Sequence, residues 1–464
     1  MESTPLMIPT IILILGMVVA SFIQQTGYVL AAFATSVVLT WLLSRWEFLQ
    51  SIGVLFCVFL FGVLVGQPSC RTVVNDDVTE AVVFSEPSEK NKTIAVDLLL
   101  PDEGRQVRCY LWKDERSKQV ALGHSLLVKG VDKGFIRSSD WQYGGRGFSK
   151  MSRLERLRMW FLGIRHQLLS RYRTLQTDDD QYAVLAAMTL GDKSALSKEL
   201  RDVYSVTGAS HVLALSGLHM GIIFFLLHRL TLGRRHFWLS QVIIVLGLWS
   251  FAFLTGLSPS VVRSATMLSA YVLFSFMGRQ RNSVNLLCFT AIVMLLVNPQ
   301  SLYDVGFQLS FTAVLSILLW LPLIDRFLPE NYFVTRRFQH YLYSMVGMSL
   351  AAQLAVAPLI VYYFGRFSTY FLLTNFIVIP LATAILYGAL LVVIVPMFGP
   401  VLLWVVGILN KALEWISQMP YSCIDGLHPS VLQICLFYIG VISLYWAVRR
   451  LAPTTSRVAS VRCR

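Results

Sequence analysis

Charged residues are scarce in this 464-residue chain, because Asp, Glu, Lys and Arg together make up only 14% of it. A typical soluble domain carries about 25% charged residues. Hydrophobic residues reach 55%, and several apolar stretches are as long as the roughly 20 residues that a membrane-spanning helix needs. The composition therefore excludes an ordinary soluble protein and predicts a polytopic α-helical membrane protein.

Basic residues are missing from the start of the chain, since no Lys or Arg precedes Arg45. A cleaved signal peptide begins with a basic segment, whereas "MESTPLMIPT" contains Glu2 and no basic side chain. We therefore expect the first apolar stretch to be a retained membrane span.

Familiar catalytic motifs are also missing, because the sequence contains no HExxH, GxSxG, Walker A or HxHxDH string. His211 and His219 have no carboxylate near them in the sequence, which argues against a zinc site. The sequence therefore predicts no catalytic residue, no metal site and no cofactor, and we expect the protein not to be an enzyme.

Twelve segments are apolar enough to be membrane spans. Three lie in an N-terminal region, 1–66, and nine lie in a second membrane region, 211–449, which is followed by a basic tail, 450–464. Pro358 and Pro380 fall inside two of these segments and predict a kink or a break there. The predicted spans are about 7–24, 28–44, 50–66, 211–229, 237–256, 259–277, 283–297, 304–322, 341–363, 368–396, 400–416 and 431–448.

The net charge of +13 is concentrated where membrane topology places it. If the N-terminus is inside, the inner loops and the C-terminal tail hold 14 Arg residues, whereas the short outer loops hold only Arg366. Positive residues mark the cytoplasmic side of a membrane protein. The distribution predicts that both termini are cytoplasmic and that residues 67–210 lie outside the cytoplasm.

Residues 67–150 form a predicted external β domain, with 13 basic and 12 acidic side chains. Turns such as "PDEG" separate short β-branched or aromatic runs, namely "TEAVVF", "TIAVDLLL", "RQVRCYLW" and "HSLLVKGV". Four or five strands in about 80 residues favour a small OB-fold-like barrel, and a two-layer sandwich fits nearly as well. Cys70 flanks this domain and Cys109 lies in a predicted strand, so the two external cysteines are a candidate disulfide.

Residues 151–210 are predicted to be external helices, of which the first is amphipathic. Its apolar residues recur at spacings of three and four. One face is predicted to carry Leu154, Leu157, Phe161, Ile164, Leu168, Tyr172 and Leu175, and the other Arg153, Arg156, Arg158, Arg165, Arg171 and Arg173. Such a helix either lies in the membrane interface and attracts polyanions, or packs on its own protein with a solvated basic face.

Several predicted spans contain polar residues that lipid would penalise. In "HVLALSGLHM", Ser216 and His219 are three residues apart, which predicts a shared helical face, and His219 is almost halfway along its span. Each polar position also has a purely structural explanation: an interface site, a side chain that snorkels to the membrane surface, or an interhelical hydrogen bond. The candidate path-lining residues are His211, Ser216, His219, Arg263, Asp304, Gln308, Gln353 and Asn375.

The chain resembles the ComEC family of inner-membrane channels for competence DNA uptake. The resemblance is carried by four blocks in the family's order, which together span about 190–385. They are "LGDKSALSKELRDVYSVTGASHVLALSGLHMG", "LTGLSPSVVRSATM", "NPQSLYDVGFQLSFTAVLSI" and "AAQLAVAPL…TNFIVIPL".

The resemblance implies a channel in the cell inner membrane that imports single-stranded DNA during natural transformation. It also implies that the β domain is an OB-fold and that the polar residues above line or support the path. Longer family members end in a metallo-β-lactamase-like nuclease domain, whereas this sequence ends at Arg464, so no nuclease activity is expected of it. The expected partners are single-stranded DNA, the lipid bilayer, a competence DNA receptor, a cytoplasmic translocation ATPase or helicase, a separate nuclease and, for a homo-oligomer, further copies of this chain.

Two other functions fit the same polar residues. A secondary transporter of a small polar or anionic solute would use them to bind its substrate. An intramembrane enzyme would use His219 with Ser216 or Asp304.

Overall fold

The computed structural model describes residues 4–23, 26–67, 78–84, 87–89, 92–101, 105–131, 135–144, 152–175, 178–231, 237–276, 282–326 and 337–451. Within these ranges the helices are α1 (Met7–Ala20), α2 (Thr26–Leu42), α3 (Glu47–Gly66), α4 (Arg153–Arg173), α5 (Asp179–Leu190), α6 (Lys198–Val206), α7 (Ser210–Leu213), α8 (Gly217–Leu230), α9 (Phe237–Leu254), α10 (Pro259–Phe276), α11 (Ser283–Val297), α12 (Val305–Asp325), α13 (Arg337–Phe364), α14 (Phe371–Ile394), α15 (Gly399–Ser417) and α16 (Val431–Leu451).

The strands lie mostly between the third and fourth helices. They are β1 (Val78–Val83), β2 (Ser88–Glu89), β3 (Thr93–Leu100), β4 (Arg105–Trp112), β5 (Ser125–Lys129), β6 (Phe135–Ile136) and β7 (Trp141–Tyr143). Two further strands, β8 (Arg366–Ser368) and β9 (Cys423–Asp425), pair between the later helices. The four runs quoted from the sequence coincide with β1, β3, β4 and β5, so these four predicted strands are confirmed.

The strands β1–β7 form one sheet with the order β6-β4-β3-β1-β5-β7, and β2 pairs with β3. β1, β3 and β4 are an antiparallel meander, β5 pairs antiparallel with β1, and β6 pairs parallel with β4. The two edge strands, β6 and β7, follow each other directly in the chain, which curls the sheet towards a closed barrel. Its interior is apolar because alternate residues of each strand point inward, among them Ile94, Val96, Leu98, Cys109 and Leu111.

Eight helices are long and apolar enough to cross a membrane, judged by length and composition over the described residues. They are α2, α3, α9, α12, α13, α14, α15 and α16. Three more predicted spans, α1, α8 and α11, are apolar but shorter, and α10 carries Arg263 among several hydroxyl side chains. The protein is therefore a polytopic helical membrane protein, while the count of twelve spans stays a prediction.

Segments predicted to lie on the same side of the membrane contact one another. β8 and β9 join the loop before α14 to the loop before α16, both of which are predicted outer loops. On that side the Tyr303 hydroxyl also donates to the Met17 carbonyl oxygen over 3.5 Å. On the opposite side the Leu6 amide donates to Asn285 Oδ1 over 3.3 Å. Both sets of contacts agree with the predicted alternation of loops.

The predicted span 211–229 is not one helix, so that prediction was wrong. The chain is helical in α7, extended from Ala214 to Ser216, and helical again from Gly217. The break leaves α8 with 14 residues, or about 21 Å at 1.5 Å per residue. In contrast, Pro358 and Pro380 lie inside continuous helices, α13 and α14, and so do not break them.

The apolar face predicted for α4 is also partly wrong. The buried residues are Leu162, Leu169 and Tyr172, whereas Leu154 is 69% exposed. The helix packs between the sheet and the C-terminal end of α9, on a face displaced from the predicted one. It thus packs on its own protein, as one of the two alternatives from the sequence had it, but the basic face is not fully solvated, because Arg158 and Arg165 contact protein.

The predicted disulfide between Cys70 and Cys109 stays a prediction, because Cys70 lies outside the described residues. Cys109 is fully buried in β4, and its thiol donates to the Val131 carbonyl oxygen over 3.7 Å.

Candidate functional site

The break between α7 and α8 determines the position of His219. Ser216 caps α8 with an extended backbone, and its amide donates to His219 Nδ1 over 3.2 Å. The Ser216 hydroxyl is 3.1 Å from the same nitrogen. Because a backbone amide can only donate, Nδ1 is the acceptor and the neutral ring carries its proton on Nε2. Ser216 and His219 therefore interact through the helix cap. The shared face of one continuous helix that the sequence predicted is not present.

His219 has no exposed surface, and its Nε2 has no hydrogen-bond partner within the part of the chain that the structure describes. A buried N–H group without a partner costs free energy, about 1–3 kcal/mol in typical proteins. Such a group needs an explanation beyond packing. His219 thus holds the turn at Ser216 with one nitrogen and presents an unused donor with the other.

His211 lies in α7, just before the break. Its Nδ1 is 2.9 Å from the Gly208 carbonyl oxygen, and its charge would act on His219. The residue is exposed in the structure, so its role at the membrane interface or along a path stays a prediction.

Arg263 and Asp304 meet at the start of α12. Arg263, on α10, is only 5% exposed. A methyl group built on Gly306 would lie 3.3 Å from Asp304 Oδ1 and 3.7 Å from Arg263 Nη1, which places both side chains beside the first turn of α12. Asp304 caps this helix, because its Oδ1 accepts from the Gly306 amide over 2.8 Å.

Arg263 is therefore not a side chain that snorkels to the membrane surface. Its Nε is buried and, among the described residues, has no hydrogen-bond partner. A charge at the centre of a membrane helix costs roughly 2.5–3.5 kcal/mol on the insertion scale. Asp304 lowers this cost electrostatically, since it lies close enough to act on the guanidinium.

Two of the three amide residues, Gln308 and Asn375, connect neighbouring helices. Gln308 donates to the Leu302 carbonyl oxygen over 3.0 Å and accepts from the Tyr363 hydroxyl over 2.7 Å. Asn375 on α14 donates to Ser349 Oγ on α13 over 3.2 Å. Gln353 lies one helical turn after Ser349 and is half-buried. These contacts join α12 to α13 and α13 to α14 at two separate points along α13.

Two of the helices that carry predicted residues, α8 and α12, approach α10 at their first turns. On one side Gly217, at the start of α8, faces Ser264 Oγ, which lies 3.1 Å from the place of a methyl group on Gly217. On the other side Arg263 faces Asp304. The structure brings α8, α10 and α12 together. That one cavity is shared by four side chains stays a prediction; they are His219, Arg263, Asp304 and Gln308.

An aromatic group on the outer face of the sheet was missed in the sequence. Trp112 is 47% exposed and Phe135 is 49% exposed, and their ring centroids are 6.2 Å apart. Tyr110 stacks on Phe135 at 6.4 Å. Tyr110 and Trp112 alternate with buried Cys109 and Leu111 in "RQVRCYLW", which was the available signal, but only the parallel pairing of β4 with β6 brings Phe135 beside them.

A metal site would need several ligating side chains in one place. Among the residues that the structure describes, no group of three or more His, Cys, Asp or Glu side chains has this arrangement.

Comparisons with known proteins agree with the resemblance in the sequence. A sequence model of the family described as "Competence protein" matches residues 188–451, which is more than half of the chain. This range contains every candidate path residue. No solved structure matches the chain.

Three relatives are similar over part of their length. The chain is 28% identical to ComE operon protein 3 of Bacillus subtilis over 67% of this chain and 40% of that protein. It is 27% identical to protein YcaI of Escherichia coli over 52% of this chain and 32% of that protein. It is 27% identical to Recombination protein 2 of Haemophilus influenzae over 45% of this chain and 28% of that protein. The matched part thus spans 40% or less of each of these relatives.

Proposed function

The chain belongs to the competence protein family, and on that premise we propose that it forms a channel that carries single-stranded DNA across the cell membrane. The observation that carries the proposal is the burial of Arg263 beside Asp304 among apolar helices. A guanidinium group binds phosphate oxygens through a planar fork. A channel must also release its cargo, and the carboxylate of Asp304 weakens the attraction for a polyanion.

The proposed channel has twelve spans with both termini in the cytoplasm. The two sets of loop contacts support this topology, because predicted outer segments contact outer segments and predicted inner segments contact inner ones. His211, His219, Gln308, Gln353 and Asn375 are proposed to line or support the path with Arg263 and Asp304.

The external sheet is proposed to be an OB-fold, a five-stranded, partly open barrel. The meander β1-β3-β4 supplies three strands and β5 supplies the fourth. The segment 135–143 supplies the fifth, because it pairs with β4 through β6 and with β5 through β7. OB-folds bind oligonucleotides on the face of their second and third strands, which here are β3 and β4. The aromatic group of Tyr110, Trp112 and Phe135 lies there and offers rings on which bases stack.

The test is entry of labelled DNA into the cytoplasm of a naturally competent strain that lacks its own copy of this gene. We expect the wild-type chain to restore entry and Arg263→Gln to abolish it at unchanged protein abundance. Asp304→Asn keeps a side chain that can cap α12 and should slow import by holding the strand more tightly. Thr266→Val, one turn along α10 from Arg263, is the matched control and should import normally.

Normal import by Arg263→Gln would contradict the assignment of Arg263 to the path. A wild-type chain that restores no import, but takes up a small solute without DNA, would favour the transporter instead. Turnover of a substrate by purified protein would favour the intramembrane enzyme. The DNA receptor, the translocation ATPase or helicase, the separate nuclease and a homo-oligomer are proposed as partners of the channel.

A further inference from the structure

Four basic side chains meet where the external sheet joins the membrane helices. Arg158 and Arg165 belong to α4, Lys193 lies in the loop between α5 and α6, and Arg201 belongs to α6. We call these four residues the junction cluster.

The contacts of the cluster form a continuous chain. Arg158 stacks on the Phe84 ring of the sheet domain at 4.5 Å, and its Nη2 donates to the Gly256 carbonyl oxygen over 3.2 Å. Gly256 turns the chain from α9 into α10 with a φ of 79°. A methyl group on this glycine would lie 3.4 Å from Arg165 Nη1, so both guanidinium groups reach the same turn.

The other two cations extend the cluster towards α6. Arg165 Nη2 lies 3.8 Å from Asp192 Oδ1, and Lys193 is the next residue in the loop. Arg201 Nη2 donates to the Lys193 carbonyl oxygen over 2.8 Å. Partial burial and the charge of Arg201 both lower the pKa of Lys193. Burial likewise lowers the pKa of Arg158, although Asp97 opposes this effect at longer range.

Negative charge in the cluster is sparse. Within the described part of the chain, Asp192 is the one carboxylate at ion-pair distance from these four side chains. The Nε groups of Arg158 and Arg165 are buried, and no described atom accepts a hydrogen bond from them. The guanidinium groups of Arg158 and Arg165 share one partly buried turn, where like charges repel more strongly than in bulk water because the effective dielectric constant is lower. An anion bound at this place would relieve the repulsion.

We propose that the junction cluster is a binding site for the phosphodiester backbone of a nucleic acid strand. Arg165, Lys193 and Arg201 contact the phosphates, and Arg158 is a positioning residue that holds α4 on the sheet domain and on the turn at Gly256. The identity of the ligand rests on the proposed function. A strand that leaves the sheet domain for the membrane helices passes this junction, since α4 packs on both.

A lipid headgroup offers the same phosphate chemistry, but the cluster is set between protein elements. Leu162 Cδ2 lies 3.9 Å from the place of a methyl group on Gly256, and Asp192 is 7% exposed. A nucleic acid strand is favoured as the occupant because α4 contacts both the sheet domain and the turn between α9 and α10, the two parts that the proposed channel uses, and lipid binding is an outcome of the test.

The experiment uses the full chain in nanodiscs of phosphatidylcholine, with fluorescence anisotropy of a labelled oligothymidylate at a series of salt concentrations. Each phosphate contact of a single strand contributes about −0.7 to the slope of log K against log salt. We expect Lys193→Gln and Arg165→Gln each to weaken binding severalfold and to reduce the magnitude of the slope by about 0.7. Arg171→Gln, an exposed change on the same helix, should leave both unchanged.

Unchanged affinity and slope in both variants would overturn the proposal. The proposal would also be overturned if the variants bound the oligonucleotide as the wild type does but no longer bound phosphatidylglycerol, because that result would identify a lipid site. Lys193 is exposed, so Lys193→Gln keeps the test valid if Arg165→Gln fails to fold. The proposed channel is tested separately by DNA import in cells. If import fails, the oligonucleotide measurement still determines whether the junction cluster binds a nucleic acid strand.

Discussion

His219 uses only one of its two ring nitrogens within the part of the molecule that the structure describes. Nδ1 accepts from the Ser216 amide, while Nε2 is buried without a partner. Two roles are thus separable in one side chain. Nδ1 stabilises the start of α8, and Nε2 is the atom that would meet a ligand or a water molecule in the proposed path.

Two substitutions separate these roles. His219→Asn keeps an acceptor near the position of Nδ1 and removes the Nε2 donor, whereas His219→Gln keeps a donor near Nε2 and removes the acceptor. We expect His219→Asn to be as abundant as the wild type and to lower DNA import about tenfold, which corresponds to one buried hydrogen bond. We expect His219→Gln to import better than His219→Asn. Import and abundance are measured in the same cells, and normal import by His219→Asn would reduce His219 to a helix cap.

At the scale of elements, the sheet domain presents a cluster of partly exposed aromatic side chains. Its charge is nearly balanced, so attraction of DNA to this domain by net charge is weak. Stacking on Tyr110, Trp112 and Phe135 would not depend on charge in this way, and it tolerates any base because every base has a π-face. The outer face of β4 and β6 is therefore the part of this domain best suited to a single strand.

Removal of these rings should weaken binding of an oligonucleotide to the full-length protein. We expect Trp112→Ala and Phe135→Ala each to cost about 1–3 kcal/mol, the typical value for one stacked base. The slope against salt should stay constant, because no phosphate contact is lost. Leu127→Ala removes a partly exposed apolar side chain from β5 of the same domain and is the control. Equal affinities for all three variants and the wild type would contradict the stacking surface.

At the scale of the whole molecule, the contacts described above divide the loops into two sets. Each of these contacts joins two segments of the same set. The β8–β9 pair and the Tyr303–Met17 contact lie on one side, and the Leu6–Asn285 contact lies on the other. The Arg residues of the loops and the tail predict that the second side is cytoplasmic.

Reporter fusions test this orientation. After Arg464, we expect activity only from a reporter enzyme that works in the cytoplasm. Near Gly104, we expect activity only from a reporter enzyme that works outside the cytoplasm. The reason is the excess of 14 Arg residues on the inner side over Arg366 on the outer side. A dual set of enzymes, active on opposite sides of the membrane, measures both positions. Two fusions reporting the same side would contradict the proposed topology.

The sequence by itself determined where most of the helices and strands lie. Eleven of the twelve predicted spans fall on α1–α3 and α9–α16, and four quoted runs fall on β1, β3, β4 and β5. This works because apolar length and alternation are local properties that each segment carries independently of its neighbours. The resemblance, which rests on contiguous motifs, likewise named the family that the comparison with known proteins found.

Tertiary structure decided which side chains meet. The pairing of β4 with β6 brings Phe135 to Tyr110, and the packing of α4 between the sheet and the turn at Gly256 brings Arg158 and Arg165 inward. The break before Ser216 was likewise invisible in an apolar run, because no Pro interrupts it. These contacts join residues that are far apart in the chain or depend on how helices pack, so local pattern carries no information about them.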